Sequence, residues 1–375
     1  MIKLKQIALA SISVAALVAA GLAPVAAQTA TQTPEAAMKS EIKAADKDMG
    51  RVLKKLADLG AKPLATLTVE QARAQPSPAD AVKAVLKDDG KDAAALMAAM
   101  KVGKKDMTYP TAGGTQPIRI YTPEGASGPL PVIFYIHGGG WVIADIDTYE
   151  GSAMALAKKA NAIVASVEYR HAPENKFPAA HDDANAAYKW VAENAGSWNG
   201  NAKKLALVGE SAGGNLAMNV AIMARDQKME TPLYVVAVYP VAGVDTNTAS
   251  YQKNAKAAPL GKADMEWFFD KVLSKPDDKN DPRLDLVGKA DLKSLPPTLV
   301  ITAEIDPLMS DGKLLADKLK QAGVKTIYEN FDGVSHEFFG MGAVVKDADK
   351  AQDRAARELV AAFGGQRKAS EPSKP

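Results

Sequence analysis

Apolar residues fall along this chain in two alternating rhythms. Short runs at 132–136, 162–167, 205–208, 233–239 and 297–303 are built from Val, Ile, Leu, Phe, Tyr and Ala with few polar interruptions. Runs of that length and composition predict strands buried on both faces. Residues 118–121 alternate apolar and polar and predict a further strand, and 324–330 another. Between these runs apolar residues recur every three or four positions, over 149–159, 178–194, 214–223, 311–322 and 348–363, which predicts helices. Strands alternating with helices in this way predict an α/β fold, with a mainly parallel sheet covered by helices on both faces.

The rhythm is absent in two places. Before residue 106 there is a different pattern. Met49, Leu53, Leu56 and Leu59 recur at helical spacing within 36–59, and Gly60 and Pro63 end that helix. Thr68 is placed as the N-cap of another, and Pro76, Pro78 and Gly90 divide the rest of this region into short helical pieces. Residues 28–105 therefore form a helical extension. Its helices are short and its apolar content is Ala-rich, so as an independent module it would be marginally stable, and packing on the main domain, 106–366, is the preferred expectation. The second gap, 244–287, carries Trp267, Phe268 and Phe269 among many Lys and Asp, with Pro276 and Pro282. It is too long for a plain connection and reads as an inserted helical lid. Residues 367–375 are a polar tail.

The start of the chain belongs to neither pattern. Lys3 and Lys5 precede an almost entirely apolar stretch, 7–20, and Val25-Ala26-Ala27 offers small residues for cleavage before Gln28. This is the pattern of a secretory signal peptide over 1–27, and it predicts a secreted or periplasmic protein. No membrane span is expected in the mature chain, since nothing downstream approaches the roughly 18 to 20 apolar residues a span requires. The chain has 46 basic and 44 acidic residues, and losing Lys3 and Lys5 with the leader leaves the two equal in number. That balance gives no reason to expect nucleic acid as a partner. There is no cysteine, which excludes disulfides, a lipoprotein anchor, thiolate catalysis and thiolate-bound zinc.

Candidate chemistry begins where the run 205–208 ends, in Gly209-Glu210-Ser211-Ala212-Gly213. G-x-S-x-G between a strand and a helix is the setting of a nucleophile elbow, with Ser211 on a sharp turn above the sheet. A serine nucleophile needs an oxyanion hole, a base and an acid that orients the base. His137-Gly138-Gly139-Gly140-Trp141 follows the strand at 132–136, and its unobstructed N–H groups, with that of Ala212, offer donors for an oxyanion. The chain has four histidines. His137 belongs to the glycine loop, His171 follows Tyr169-Arg170, and His181 reads as a surface residue beside Asp182 and Asp183. In the chain order nucleophile, acid, base that goes with such an elbow, only His336 lies downstream of Ser211, which makes it the candidate base. For the acid, Asp306 at the end of the strand over 299–303 is preferred, with Glu304, Asp311 and Asp332 as competitors. Asp332 is placed at a strand end entering a turn.

With these residues in view, the chain resembles the hormone-sensitive-lipase-like branch of the α/β-hydrolase superfamily, which includes bacterial carboxylesterases. The matching pieces are His137 to Trp141, Tyr169-Arg170-His171-Ala172-Pro173-Glu174, Gly209 to Asn215, Asp306-Pro307-Leu308 and His336. The resemblance implies an α/β-hydrolase fold with the N-terminal helices and the 244–287 insertion forming a cap. It implies Ser211, Asp306 and His336 as the catalytic residues and Gly138, Gly139 and Ala212 as oxyanion donors. It also implies a small-molecule ester as substrate, with no cofactor and no metal. The departures are Glu210 where Asp or Thr is common, His171 where Leu is usual, Met309-Ser310-Asp311-Gly312 after Leu308, and Glu337 where Gly is common. The expected function is a serine esterase that forms an acyl-enzyme and prefers short acyl chains. The alternatives are a specialised deacetylase or lipase on the same fold, or a non-catalytic ligand-binding protein.

Overall fold

The computed structural model describes residues 44–365. The expected leader, the part of the first helix before residue 44 and the polar tail lie outside the described residues.

Among the described residues, the extension contributes the α-helices α1 (Lys47–Asp58), α2 (Val69–Ala74), α3 (Pro78–Asp88) and α4 (Ala93–Ala99). Met49, Leu53 and Leu56 of α1 are buried as their spacing requires, but Leu59 is exposed. Leu59 is already the residue after the helix, and Gly60 at φ 89° turns the chain away. Helix α2 starts where Thr68 places it. The Thr68 hydroxyl accepts the Gln71 N–H at 3.3 Å, and the Gln71 side chain accepts the Thr68 N–H at 3.0 Å. This reciprocal cap satisfies two N–H groups that the helix cannot. Ser77 and Asp80 do the same for α3, with Pro78 in the first turn, so a proline that interrupts the sequence pattern starts a helix.

The sheet has eight strands: β1 (Val102–Thr111), β2 (Gly114–Pro123), β3 (Leu130–Ile136), β4 (Ile163–Val167), β5 (Gly200–Glu210), β6 (Val235–Val238), β7 (Thr298–Ile305) and β8 (Thr326–Ser335). Their order in space is β1-β2-β4-β3-β5-β6-β7-β8. Strands β3 to β8 are mutually parallel, while β2 runs antiparallel to both β1 and β4. Strand β1 corrects the boundary drawn at residue 105. It begins at Val102, inside the stretch assigned to helices. Lys104, Lys105 and Asp106 hide its period, and an edge strand with a single neighbour tolerates such charges, which also guard the open edge.

Helices α5 (Glu150–Ala160), α6 (Ala179–Asn194), α7 (Ala212–Asp226), α10 (Met309–Gln321) and α11 (Lys346–Ala362) cover the sheet, and α8 (Ala249–Lys253) and α9 (Lys262–Val272) lie in the insertion between β6 and β7. The unbroken apolar runs have a direct structural cause. On β3, Val132, Phe134 and Ile136 enter one core with α6, α7 and α10, while Ile133 and Tyr135 enter the other with α5 and α11. Leu205 and Leu207 against Ala206 and Val208 divide β5 in the same way. Each fully buried large side chain contributes about 1.5–3 kcal/mol, which holds both helical layers to the sheet. No helix among the described residues is long and apolar enough to cross a membrane.

Because β3, β5, β7 and β8 are parallel, the loops after them gather at one edge of the sheet, where α/β proteins bind their ligands. The extension and the insertion meet over that edge. The Ala65 N–H donates to Asp264 at 2.9 Å, and the Trp267 indole donates to the Leu67 carbonyl at 3.2 Å. Arg73 anchors the extension. It binds Glu174 through two nitrogens at 2.7 and 2.8 Å and reaches the carbonyls of Val142 and Ala172.

Candidate active site

Ser211 occupies a single-residue turn between the end of β5 and the start of α7, at φ 56° and ψ −118°. A non-glycine residue there carries about 1–3 kcal/mol of backbone strain, and surrounding structure must impose it. The Ser211 N–H donates to the Val238 carbonyl at 2.9 Å, tying the turn to β6. A Cβ on Gly209 would collide with the Gly213 backbone, and one on Gly213 with the carbonyls of Ile136 and His137. Those contacts explain both glycines of the motif and bring the elbow against the end of β3.

Three of the residues singled out in the sequence form a hydrogen-bonded line. His336 Nε2 lies 3.0 Å from Ser211 Oγ, and His336 Nδ1 lies 2.7 Å from Asp306 Oδ2. The other Asp306 oxygen accepts the Leu308 N–H at 2.8 Å, which fixes the carboxylate plane. All three side chains are enclosed, with Ser211 4%, His336 3% and Asp306 0% exposed.

The competing acids are engaged elsewhere. Asp332 is exposed and accepts from the Asn330 amide at 2.7 Å. Glu304 accepts the Gly333 N–H and pairs with Lys253. Asp311 is buried on the N–H groups of Ala242 and Gly243, and burial raises its pKa to about 7. Asp332 also corrects the expected turn. Strand β8 runs on to Ser335, with a register shift opposite Ala303 and Ile305, so Asp332 lies within the strand.

The glycine loop leaves β3 beside this line. Gly139 and Gly140 have φ 91° and 58°, which curls the backbone tightly after Gly138. Ala212 opens α7, whose first N–H groups have no partner within the helix. Gly139, Gly140, Ser211 and His336 line one cavity of about 390 Å³. Leu64 of the extension and Met265 and Phe268 of the insertion also line it, with the Phe268 ring against Gly140.

Electrostatics around the line favour a cationic imidazole. Burial alone would lower the His336 pKa, but the charge of Asp306 and its hydrogen bond overcome this, and Glu337 and Glu210 add to the upward shift. Glu337 Oε1 is 3.7 Å from His336 Nε2 and accepts the Tyr149 hydroxyl at 2.6 Å. Residue 337 has φ 70°, a conformation that suits glycine, yet it carries a carboxyl group into the cavity lining. Glu210, fully buried, takes hydrogen bonds of 2.5 Å from Tyr135 and Tyr239, and burial raises its pKa to about 7.

The other histidines are placed differently. His181, expected at the surface, is buried. Its helix face packs on α7, where Nε2 meets Asn215 Oδ1 at 3.0 Å, and burial lowers its pKa to about 4. Its neighbour Asp183 is also buried and holds Arg170 with both oxygens. His137 lies under the glycine loop against Glu168, a residue that sequence reading passed over; the motif 169–174 adjoins it but assigns it no role. Burial would lower the His137 pKa, but the Glu168 carboxylate reverses this and the net shift is upward.

Comparison with known proteins agrees with this architecture. Residues 133–340 match the family model described as the alpha/beta hydrolase fold. The chain is 38% identical over 251 residues to carboxylesterase NlhH of Mycobacterium tuberculosis, covering 66% of this chain and 78% of that protein. It is 35% identical over 250 residues to an ethyl acetate hydrolase of Pseudomonas putida, covering 65% and 78%. Among solved structures, an esterase of Pyrobaculum calidifontis superposes with a TM-score of 0.70 at 34% identity, covering 82% of this chain and 96% of that one.

Proposed function

The chain belongs to the alpha/beta hydrolase fold family, in its hormone-sensitive-lipase-like carboxylesterase branch, and from that premise we propose that it is a serine esterase working through an acyl-enzyme on Ser211. The observation that carries the reading is the line from Ser211 through His336 to Asp306, at 3.0 and 2.7 Å, between three buried side chains.

The steps follow from that geometry. Ser211 Oγ attacks the ester carbonyl carbon as its proton passes to His336 Nε2. Asp306 accepts the Nδ1–H, which fixes the tautomer and stabilises the imidazolium. The carbonyl oxygen becomes an oxyanion that takes hydrogen bonds from the N–H groups of Gly138, Gly139 and Ala212. The tetrahedral intermediate collapses, the C–O bond to the alcohol breaks, and His336 returns the proton to the leaving oxygen. Water then repeats the sequence on the acyl-enzyme, giving up its proton to His336 and releasing the carboxylic acid.

A cavity of about 390 Å³ lined by Leu64, Met265 and Phe268 favours short acyl groups, since it lies at the small end of ligand pockets. The expected outcome with nitrophenyl esters of increasing acyl length is a kcat/KM maximum at short chains, with a decline well before about ten carbons. A steady rise beyond that length overturns the short-chain reading and leaves the Ser211 chemistry to be judged separately.

A pH profile is expected to show a limb on the acid side. His336 must be neutral to accept the Ser211 proton. Its pKa in the folded protein is raised above the ordinary 6.5, so the neutral form is lost as pH falls through a value above 6.5. The midpoint of kcat/KM on that limb is therefore expected above 6.5 in a protein that stays folded. A flat profile between about pH 5 and 8 contradicts a histidine base.

A further inference from the structure

A second cluster of chemistry-bearing side chains stands behind the glycine loop. His137 follows the end of β3, and Glu168 and His171 follow the end of β4, its parallel neighbour. His137 Nε2 is 3.0 Å and His171 Nε2 is 3.2 Å from the same oxygen, Glu168 Oε1. The three ligating atoms lie within 4.8 Å of one another. We propose that His137, Glu168 and His171 form a site for a divalent transition-metal ion of the zinc class, which ties the glycine loop to the loop after β4.

The donor set and its spacing both point to such an ion. Zinc takes imidazole nitrogen and carboxylate oxygen at about 2.0–2.2 Å in a tetrahedron, which sets its donors about 3.3 Å apart. The two contacts to Glu168 are already close to that spacing. Two imidazoles and one carboxylate suit zinc, whereas calcium and magnesium take oxygen donors. Glu168 is partly exposed, which gives an ion a way in and leaves the fourth position to water.

The surroundings orient these donors. His137 Nδ1 donates to the Gly138 carbonyl at 2.9 Å, which turns Nε2 to the cluster, and the ring stacks on Tyr169 at 4.4 Å between centroids. A metal-bound histidine is typically held by its second nitrogen in this way. Glu168 is held by the N–H groups of Ile146 and Tyr169, each at 3.3 Å. His171 Nε2 is closed off from solvent and, although close to Glu168, has no aligned hydrogen-bond partner. Residue 171 is also where the resemblance expects Leu, so the third ligand is a feature of this chain. Such an ion takes no part in the ester chemistry, because none of its ligands belongs to the line from Ser211 to Asp306.

The test uses the full chain without an affinity tag, stripped of metal with a chelator and titrated with zinc by calorimetry and by thermal melting. The expected result is one bound equivalent and a Tm that rises with zinc, because an ion that binds only the folded state stabilises it. His171→Leu is expected to weaken binding at least about 100-fold and to remove the rise in Tm, since even outer-shell changes typically cost 10- to 100-fold. His171→Asn, which keeps a polar side chain, should do the same. Absence of binding to the wild type overturns the proposal. So does binding that survives either substitution in a folded protein, including binding that is lost only in His336→Ala.

Discussion

Ser211→Ala is expected to remove turnover almost completely, lowering kcat about 10⁶-fold while leaving the fold intact. The size of the effect follows from the position of the atom removed. Ser211 Oγ is the only heavy atom of that side chain beyond Cβ, and it lies 3.0 Å from the Nε2 of the buried His336. On the proposed mechanism, no covalent intermediate forms without it, and His336 has no proton to accept from the enzyme. Stability should change little. Alanine keeps the Cβ, so the strain at φ 56° is the same before and after, and the Ser211 N–H still bonds to Val238. Kinetics on nitrophenyl acetate, with melting curves for both proteins, check this. Near-normal activity in a folded variant contradicts the role given to Ser211.

Asp306→Asn is expected to lower kcat about 10⁴-fold, and Asp332→Asn at most about tenfold. Proximity in sequence favours Asp332, four residues before His336, but the geometry favours Asp306. Its carboxylate is buried and 2.7 Å from His336 Nδ1, with its other oxygen held by the Leu308 N–H. An amide at 306 can keep the bond to Leu308 but presents an NH₂ to the imidazole. The histidine then turns its Nδ1 lone pair to that NH₂ and its proton to Ser211, which is the wrong tautomer for a base. Asp332 is exposed, and its substitution leaves the line untouched. Kinetics of the two variants, each shown to be folded by circular dichroism, decide between them; the reverse ranking moves the acid to Asp332.

What was legible in the sequence had a local cause. The runs at 132–136 and 205–208 can be read because both faces of β3 and β5 are buried, so no polar residue interrupts them. The elbow can be read because its two glycines answer to immediate backbone contacts. What was hidden depends on partners distant in the chain. Strand β1 shows no period because it has one neighbour and an exposed edge. His181 looked like a surface residue beside two aspartates, yet its side of α6 meets α7, and Asp183 is buried on Arg170. Glu168 carried no signal at all. Its importance arises only because β3 and β4 are adjacent, which brings His137 within 3.0 Å of a residue 31 positions away.

The most direct test of the central claim is covalent trapping. The wild-type protein is treated with a nitrophenyl phosphonate, a reagent that captures an activated serine, and the digest is read by mass spectrometry. One phosphonyl group per chain is expected, on the peptide carrying Ser211, with nitrophenol release and loss of activity in step and no adduct in Ser211→Ala. Complete loss of activity with the label on another residue, or full activity with Ser211 labelled, would contradict the account.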